Sequence, residues 1–115
     1  MKKYLILLFL LFAGIATQAQ TSKELIGKWK LVKQTKNGVE STPIETYQVF
    51  REDGSFLGIN GDKSREGKWN LSKDNSKLTV KISVISVKFD ILFFDSKRRV
   101  IKAPEVGTLE YEKIE

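Results

Sequence analysis

The chain has no cysteine and no histidine among its 115 residues. Without cysteine it has no disulfide framework, thiolate nucleophile, cysteine zinc site or lipid-modified cysteine anchor. Without histidine it lacks every Ser-His or Cys-His couple, the commonest metal ligand and the commonest general base. It also has no Pro/Gly/Ser-rich linker, no low-complexity tract and no shift of composition that would mark a domain boundary. A chain of this length accommodates one domain. Most enzyme chemistry is thereby excluded, and neither a cofactor nor a metal is called for.

A concentrated basic face is missing too. Lys and Arg number 20 against 14 Asp and Glu, but they are interleaved with the acids along the whole chain. A nucleic-acid binder gathers its basic residues on one face or in one run. The one tight cluster, Lys97-Arg98-Arg99 after Asp95, reads as a solvated turn. No nucleic-acid partner is expected.

What is present begins with an address. Met1-Lys2-Lys3-Tyr4 is a short basic start, and Leu5 to Ile15 is an unbroken apolar run. Small residues follow at Thr17 and Ala19. Basic region, apolar region and small-x-small site together describe a secretory signal peptide. A membrane-spanning helix needs about 20 apolar residues, and this run is shorter. The organisation expected is therefore a signal peptide over 1–19, cleaved after Ala19, and one domain over 20–115. The product would be periplasmic or secreted, with no stable membrane anchor.

Turn signals punctuate the rest at short intervals: Asn37-Gly38, Asp53-Gly54, Asn60-Gly61-Asp62, Ser72 to Ser76, Asp95-Ser96-Lys97 and Pro104 to Gly107. Regularly spaced turns with short segments between them indicate an all-β sandwich or barrel. Leu78, Val80, Ile82 and Val84 alternate with Thr79, Lys81 and Ser83, and the apolar set Val87, Phe89, Ile91 and Phe93 repeats with the same period. Period two in β-branched and aromatic residues is a strand signal. The parity changes between Val84 and Val87, which places a turn or bulge at Ile85-Ser86. Eight strands are expected, at 27–35, 45–51, 55–60, 64–71, 77–84, 86–94, 98–103 and 108–114. The one helical element is a turn over 22–26, with Ser22 as its N-cap and Leu25-Ile26 packing inward. An eight-stranded antiparallel meander hides its edges completely by closing into an up-and-down barrel. At Asp53-Gly54, a three-residue loop with Gly54 in the left-handed conformation sets Phe50 across from Phe56. A two-residue loop would pair Arg51 with Phe56 and waste the aromatic pair.

Gly27-Lys28-Trp29 opens the first strand directly after the helical turn. Tyr47 to Phe56, with its Phe-Arg-Glu-Asp-Gly-Ser-Phe core, then Gly67-Lys68-Trp69-Asn70-Leu71 and Lys77 to Val80 follow. This succession resembles the small secreted lipocalin-like domains of bacteria over most of Thr21 to Val80. The resemblance implies an eight-stranded up-and-down barrel whose first-strand Trp packs across the closed end. Gly27 and Trp29 would be that structural plug. The lipocalin disulfide and the T-D-Y motif have no counterpart, and neither does the last-strand Arg that covers the Trp in Thr108 to Ile114.

Tyr47, Phe50, Phe56, Phe89, Phe93 and Tyr111 would line the barrel interior or fill it, because eight strands leave room for packed side chains or for one small ligand. Tyr47 and Trp69 are the candidates for a cavity wall, with Phe56 and Phe89 deeper. Glycoside hydrolysis needs two carboxylates and no histidine. Here, however, Glu52 and Asp53 are explained by a hairpin tip, and Asp90 falls on an outer face beside Lys88. The leading expectation is a secreted lipocalin-like protein, not an enzyme, that binds a small and mostly apolar ligand in the barrel. The alternative is a filled barrel that binds a protein or other macromolecule as an inhibitor or assembly module.

Overall fold

The computed structural model describes residues 22–115. The leader up to Ala19 and the capping role expected of the Ser22 side chain lie outside the described parts. A four-residue helix, α1 (Ser22–Leu25), precedes nine strands: β1 (Gly27–Lys36), β2 (Val39–Ser41), β3 (Thr46–Phe50), β4 (Ser55–Asn60), β5 (Lys63–Leu71), β6 (Lys77–Ile82), β7 (Ile85–Phe94), β8 (Arg98–Ala103) and β9 (Gly107–Lys113). Neighbours in sequence pair antiparallel from β3 through β9, and β1 pairs with both β3 and β9. Pairing of the first strand with the last closes an eight-stranded barrel, which removes its edges. The all-β, lipocalin-like barrel expected above is the architecture found.

The additional strand β2 lies outside the barrel wall. It folds back on the end of β1 through the Asn37-Gly38 turn, pairing Gln34 with Ser41 and Lys36 with Val39. All three of its residues are exposed. A strand with no buried face carries no alternation, so only its turn was visible in the sequence.

The Asp53-Gly54 hairpin has the expected register, with Phe50 opposite Phe56. Gly54 adopts φ +90°, and its N–H donates to the Arg51 carbonyl at 3.0 Å. The two Phe rings meet edge-on with centres 5.2 Å apart.

The β6–β7 turn departs from expectation. It sits at Ser83-Val84, between the paired residues Ile82 and Ile85, and not at Ile85-Ser86. Ser83 takes the positive φ of 58° that a two-residue hairpin requires. Val84 keeps the apolar alternation going but stands at the tip, 89 % exposed. A bulge between Ile91 and Phe93 then shifts the parity of β7. As a result Phe94 enters the core, and Phe93, expected to face the interior, is exposed with the Arg98 guanidinium over its ring.

The core fills the half of the barrel at which β1 begins. Leu25, Trp29, Phe50, Leu78 and Ile101 are almost wholly buried there or just above. Helix α1 lies across this end: the Trp29 indole N–H donates to the Leu25 carbonyl at 2.9 Å, and Lys113 Nζ donates to the Glu24 carbonyl at 2.9 Å. Gly27 is required at the entrance. Its φ is +136°, and a Cβ would strike the carbonyl oxygen of Glu115. A left-handed backbone and so close a chain crossing leave only glycine.

Candidate functional site

At the opposite end the barrel is open. The inward-facing positions of β3 to β7 there are Thr46 and Gln48, Gly58 and Asn60, Lys63 and Arg65, Val80 and Ile82, and Ile85 and Val87. Phe56, Phe89 and Tyr111 border the same space more deeply. They enclose an open cavity of about 420 Å³, within the usual range for small-molecule sites of roughly 300–1,000 Å³. Its wall is predominantly aliphatic and aromatic.

The strand registers explain why this half stays open. On the β1–β9 side, the Gln34 side-chain amide donates to the Val106 carbonyl at 2.8 Å, tying the β8–β9 turn inward. On the other side, β5 pairs with β6 only from Lys68 to Leu71, whereas β4–β5 pairing continues up to Asn60 and Lys63. The upper part of β5 thus lacks a neighbour on its β6 side. This leaves a notch between the β4–β5 and β6–β7 hairpins, with Lys63 and Arg65 on one flank and Ile82 and Ile85 on the other.

Four residues were singled out from the sequence as candidates for ligand contact, and the structure separates them. Phe56 and Phe89 border the cavity and are buried. Tyr47 borders it as well, but alternation with buried Gln48 and Phe50 turns its ring to the outer face, where Lys28 Nζ lies 4.8 Å from the ring centre. Trp69 does not border it. Its indole N–H donates to the Arg51 carbonyl at 3.0 Å, and its ring packs edge-on against Phe50, 5.8 Å away. Trp69 therefore braces the Arg51–Ser55 hairpin at the closed end. Gln48, Val80, Ile82, Val87 and the basic pair Lys63 and Arg65 had not been singled out, although β5 places Lys63, Arg65, Gly67 and Trp69 on one parity.

Below the cavity floor lies a buried cation. Arg99, expected in a solvated turn with Lys97 and Arg98, is 2 % exposed and inside the barrel. Its Nη2 donates to Gln48 Oε1 at 2.6 Å. Its Nε and Nη1 have no hydrogen-bond acceptor among the described residues. Instead its Cζ lies 4.4 Å from the Tyr111 ring centre, 4.7 Å from Trp29 and 4.9 Å from Phe50. Aromatic faces carry partial negative charge and attract a desolvated guanidinium. Arg99 thus covers the plug Trp from β8. The last strand has no such Arg, but its neighbour does.

Burial moves the titrations of this cluster in opposite directions. Desolvation lowers Arg99 to about 10 and raises the Tyr111 phenol to about 12. A raised folded-state pKa means stability present below the unfolded value, near 10, and lost as pH climbs through the folded one. In an ultraviolet phenolate titration, Tyr111 of the folded protein is expected to stay protonated through pH 10 and to ionise toward pH 12 together with unfolding. In a leaderless chain carrying Tyr47→Phe, where Tyr111 is the remaining tyrosine, a reversible ionisation near pH 10 in the intact barrel would contradict its burial.

Three turn carboxylates have the wrong character for acid catalysis. Asp53 is held below the usual range by hydrogen bonds from Ser55. Asp95 is lowered by the backbone N–H groups of Lys97 and Arg98, and Asp74 is brought to about 2 by the Ser72 and Ser76 hydroxyls. A general acid near neutral pH needs a raised pKa, whereas these three groups are turn anchors. Asp90 is exposed and pairs with Lys77. Among the described residues, no group of three or more His, Cys, Asp or Glu side chains is placed to hold a metal ion.

Comparison with known proteins agrees with this architecture. Residues 10–105 match the model of the GH43_C family, a C-terminal lipocalin-like domain. The barrel superposes on a lipocalin-like protein from Bacteroides uniformis with a TM-score of 0.68 at 17% identity, covering 79% of this chain and 99% of that one. A protein from Bacteroides eggerthii gives 0.65 at 15% identity, with 77% and 98% covered. No curated protein matches. A closed eight-stranded barrel with an aromatic plug at one end and a cavity at the other accompanies that family match, and the chain belongs to the C-terminal lipocalin-like domain family.

Proposed function

We propose that the chain is an exported carrier or scavenger that holds one small, mostly apolar molecule in the open half of its barrel. The observation that carries this reading is the cavity of about 420 Å³ with its wall of Phe56, Val80, Ile82, Val87 and Phe89. Apolar surface kept accessible in an otherwise packed domain costs stability, since burying it would contribute roughly 25 cal/mol per Å². A concave apolar site of this size is the usual form of a small-molecule site. The alternative, a filled barrel serving only as a surface for a macromolecular partner, leaves this space without a role.

An apolar fluorescent probe is expected to bind saturably at micromolar affinity or better, about −8 kcal/mol. Val87→Trp puts an indole into the cavity from the half-buried middle of its wall, and should abolish uptake while the β-type circular dichroism persists. Trp69→Ala, at the closed end, should leave probe affinity within about twofold, a difference well under the 1.4 kcal/mol of a tenfold change. Failure of the folded wild-type chain to take up any such probe would transfer the function to the outer surface.

Export is part of the proposal and is supported by the leader-like residues Met1 to Ala19. Intact mass spectrometry of the exported protein is expected to show a chain beginning at Gln20. A product that retains Lys2 and Lys3 would refute cleavage. No helix of the described residues is long and apolar enough to cross a membrane.

A further inference from the structure

The charge distribution around the cavity narrows the ligand further, if the carrier reading holds. Its lining contains two full charges, Lys63 and Arg65, and no carboxylate. Both are cations at inward-facing positions of β5, opposite Asn60 and Gly58 respectively. Both are exposed to solvent through the open end. Neither takes part in an ion pair among the described residues, whereas Lys33, Lys77 and Arg98 all have carboxylate partners. The acids close in sequence point elsewhere: Glu66 alternates to the outer face of β5, and Asp62 belongs to the exposed β4–β5 turn.

A plainer account is that a lysine or arginine on the unpaired upper edge of β5 guards against strand addition. That account requires charge at the edge but not on the inward face. The outward positions of the same segment, Ser64 and Glu66, could carry the guard alone. Two cations turned toward an apolar cavity, with no acid to neutralise them, make a mouth of one sign. Such a mouth attracts anions and disfavours cations.

We infer that the ligand is an amphipathic anion: an apolar body seated against Val80, Ile82, Val87, Phe56 and Phe89, and a carboxylate, sulfate or phosphate head held at the notch by Lys63 and Arg65. The head remains partly solvated, so no buried charge has to be neutralised. The body gains its free energy from the aliphatic wall. Arginine offers a fork of donors suited to a two-oxygen anionic head, and lysine adds a point charge.

Matched probes test this directly. Decanoate, decyl sulfate and decanol share one tail and differ in the head. Displacement of a bound apolar fluorophore is expected to show both anions binding at least tenfold more tightly than decanol. The advantage should shrink as ionic strength rises, because exposed charges are screened over about 10 Å at 0.1 M salt. Lys63→Gln with Arg65→Gln should bring decanoate to the affinity of decanol and leave decanol unchanged. Equal binding of anion and alcohol by the wild type, insensitive to salt, overturns the inference while the carrier reading stands. Failure of all three probes to bind defeats the carrier reading itself. Sedimentation with anionic vesicles but no displacement by free decanoate also overturns the inference, because the cations then serve a membrane surface. Should the double variant fold poorly, the wild-type comparison of heads and its salt dependence decide the question alone.

Discussion

Trp29→Ala is expected to lower the stability of the folded chain by about 3–5 kcal/mol, the usual cost of removing a large buried aromatic. No part of Trp29 reaches solvent. Its removal would leave a hole bounded by Phe94, whose ring centre is 6.3 Å away, and by the Arg99 guanidinium. The indole hydrogen bond to the Leu25 carbonyl would go too, releasing α1 from the closed end. Total stabilities of small domains are about 5–15 kcal/mol, so this one change removes a large share. Chemical denaturation followed by circular dichroism reads it as a drop in midpoint with little change of slope. A loss under about 0.5 kcal/mol, typical of surface sites, would show that Trp29 is not the plug.

Arg99 is the site of the second large effect, and two substitutions divide it into space and charge. Its side chain fills the region between Trp29, Phe50 and Tyr111 and satisfies Gln48 Oε1. Arg99→Ala should therefore cost about 3 kcal/mol, from the cavity and the lost contacts. Arg99→Met keeps much of the volume and removes the charge. Desolvating an ion without a counter-charge costs several kcal/mol. Against this stand cation–π contacts worth up to about 2 kcal/mol each when desolvated, and one charge-assisted hydrogen bond of about 1.5–3 kcal/mol. These terms nearly offset, so Arg99→Met should fall within about 1.5 kcal/mol of the wild type, inside the range for volume-conserving core changes. Gln48 borders the cavity and can take water in place of the guanidinium. If Met proves as damaging as Ala, the aromatic box holds Arg99 by its charge and not by its bulk.

Both predictions concern the sealed end, and the seal bears on the open one. Trp29, Arg99, Phe50 and α1 support the floor on which Phe56, Phe89 and Tyr111 stand. Binding can therefore weaken in variants of the plug without any contact between plug and ligand. The Val87→Trp and Lys63/Arg65 variants act at the other end, where Lys63 and Arg65 are exposed and Val87 is half-buried. Comparing the two sets separates a damaged scaffold from a damaged site.

Local patterning was enough to give the class of the fold and the order of its eight barrel strands. Period-two alternation and regularly spaced turn residues are local properties, and an apolar face of that period has to find a core. The Phe50–Phe56 register was legible for the same reason, because a glycine loop and an aromatic pair agreed within seven residues. The sealing role of Trp29 was readable from Gly27-Lys28-Trp29 after a helical turn. Pairing across the closed sheet settled the rest. The bulge in β7 exchanged Phe93 for Phe94 in the core, since one extra residue reverses every side chain beyond it. Arg99 looked like surface charge because two of its three aromatic partners, Trp29 and Phe50, come from strands distant in sequence. Trp69 left the cavity, and Lys63 and Arg65 entered its lining, because strand ends and shear set which layer of the barrel each inward position occupies. Alternation tells inside from outside; the height along the barrel axis depends on pairing across the whole closed sheet.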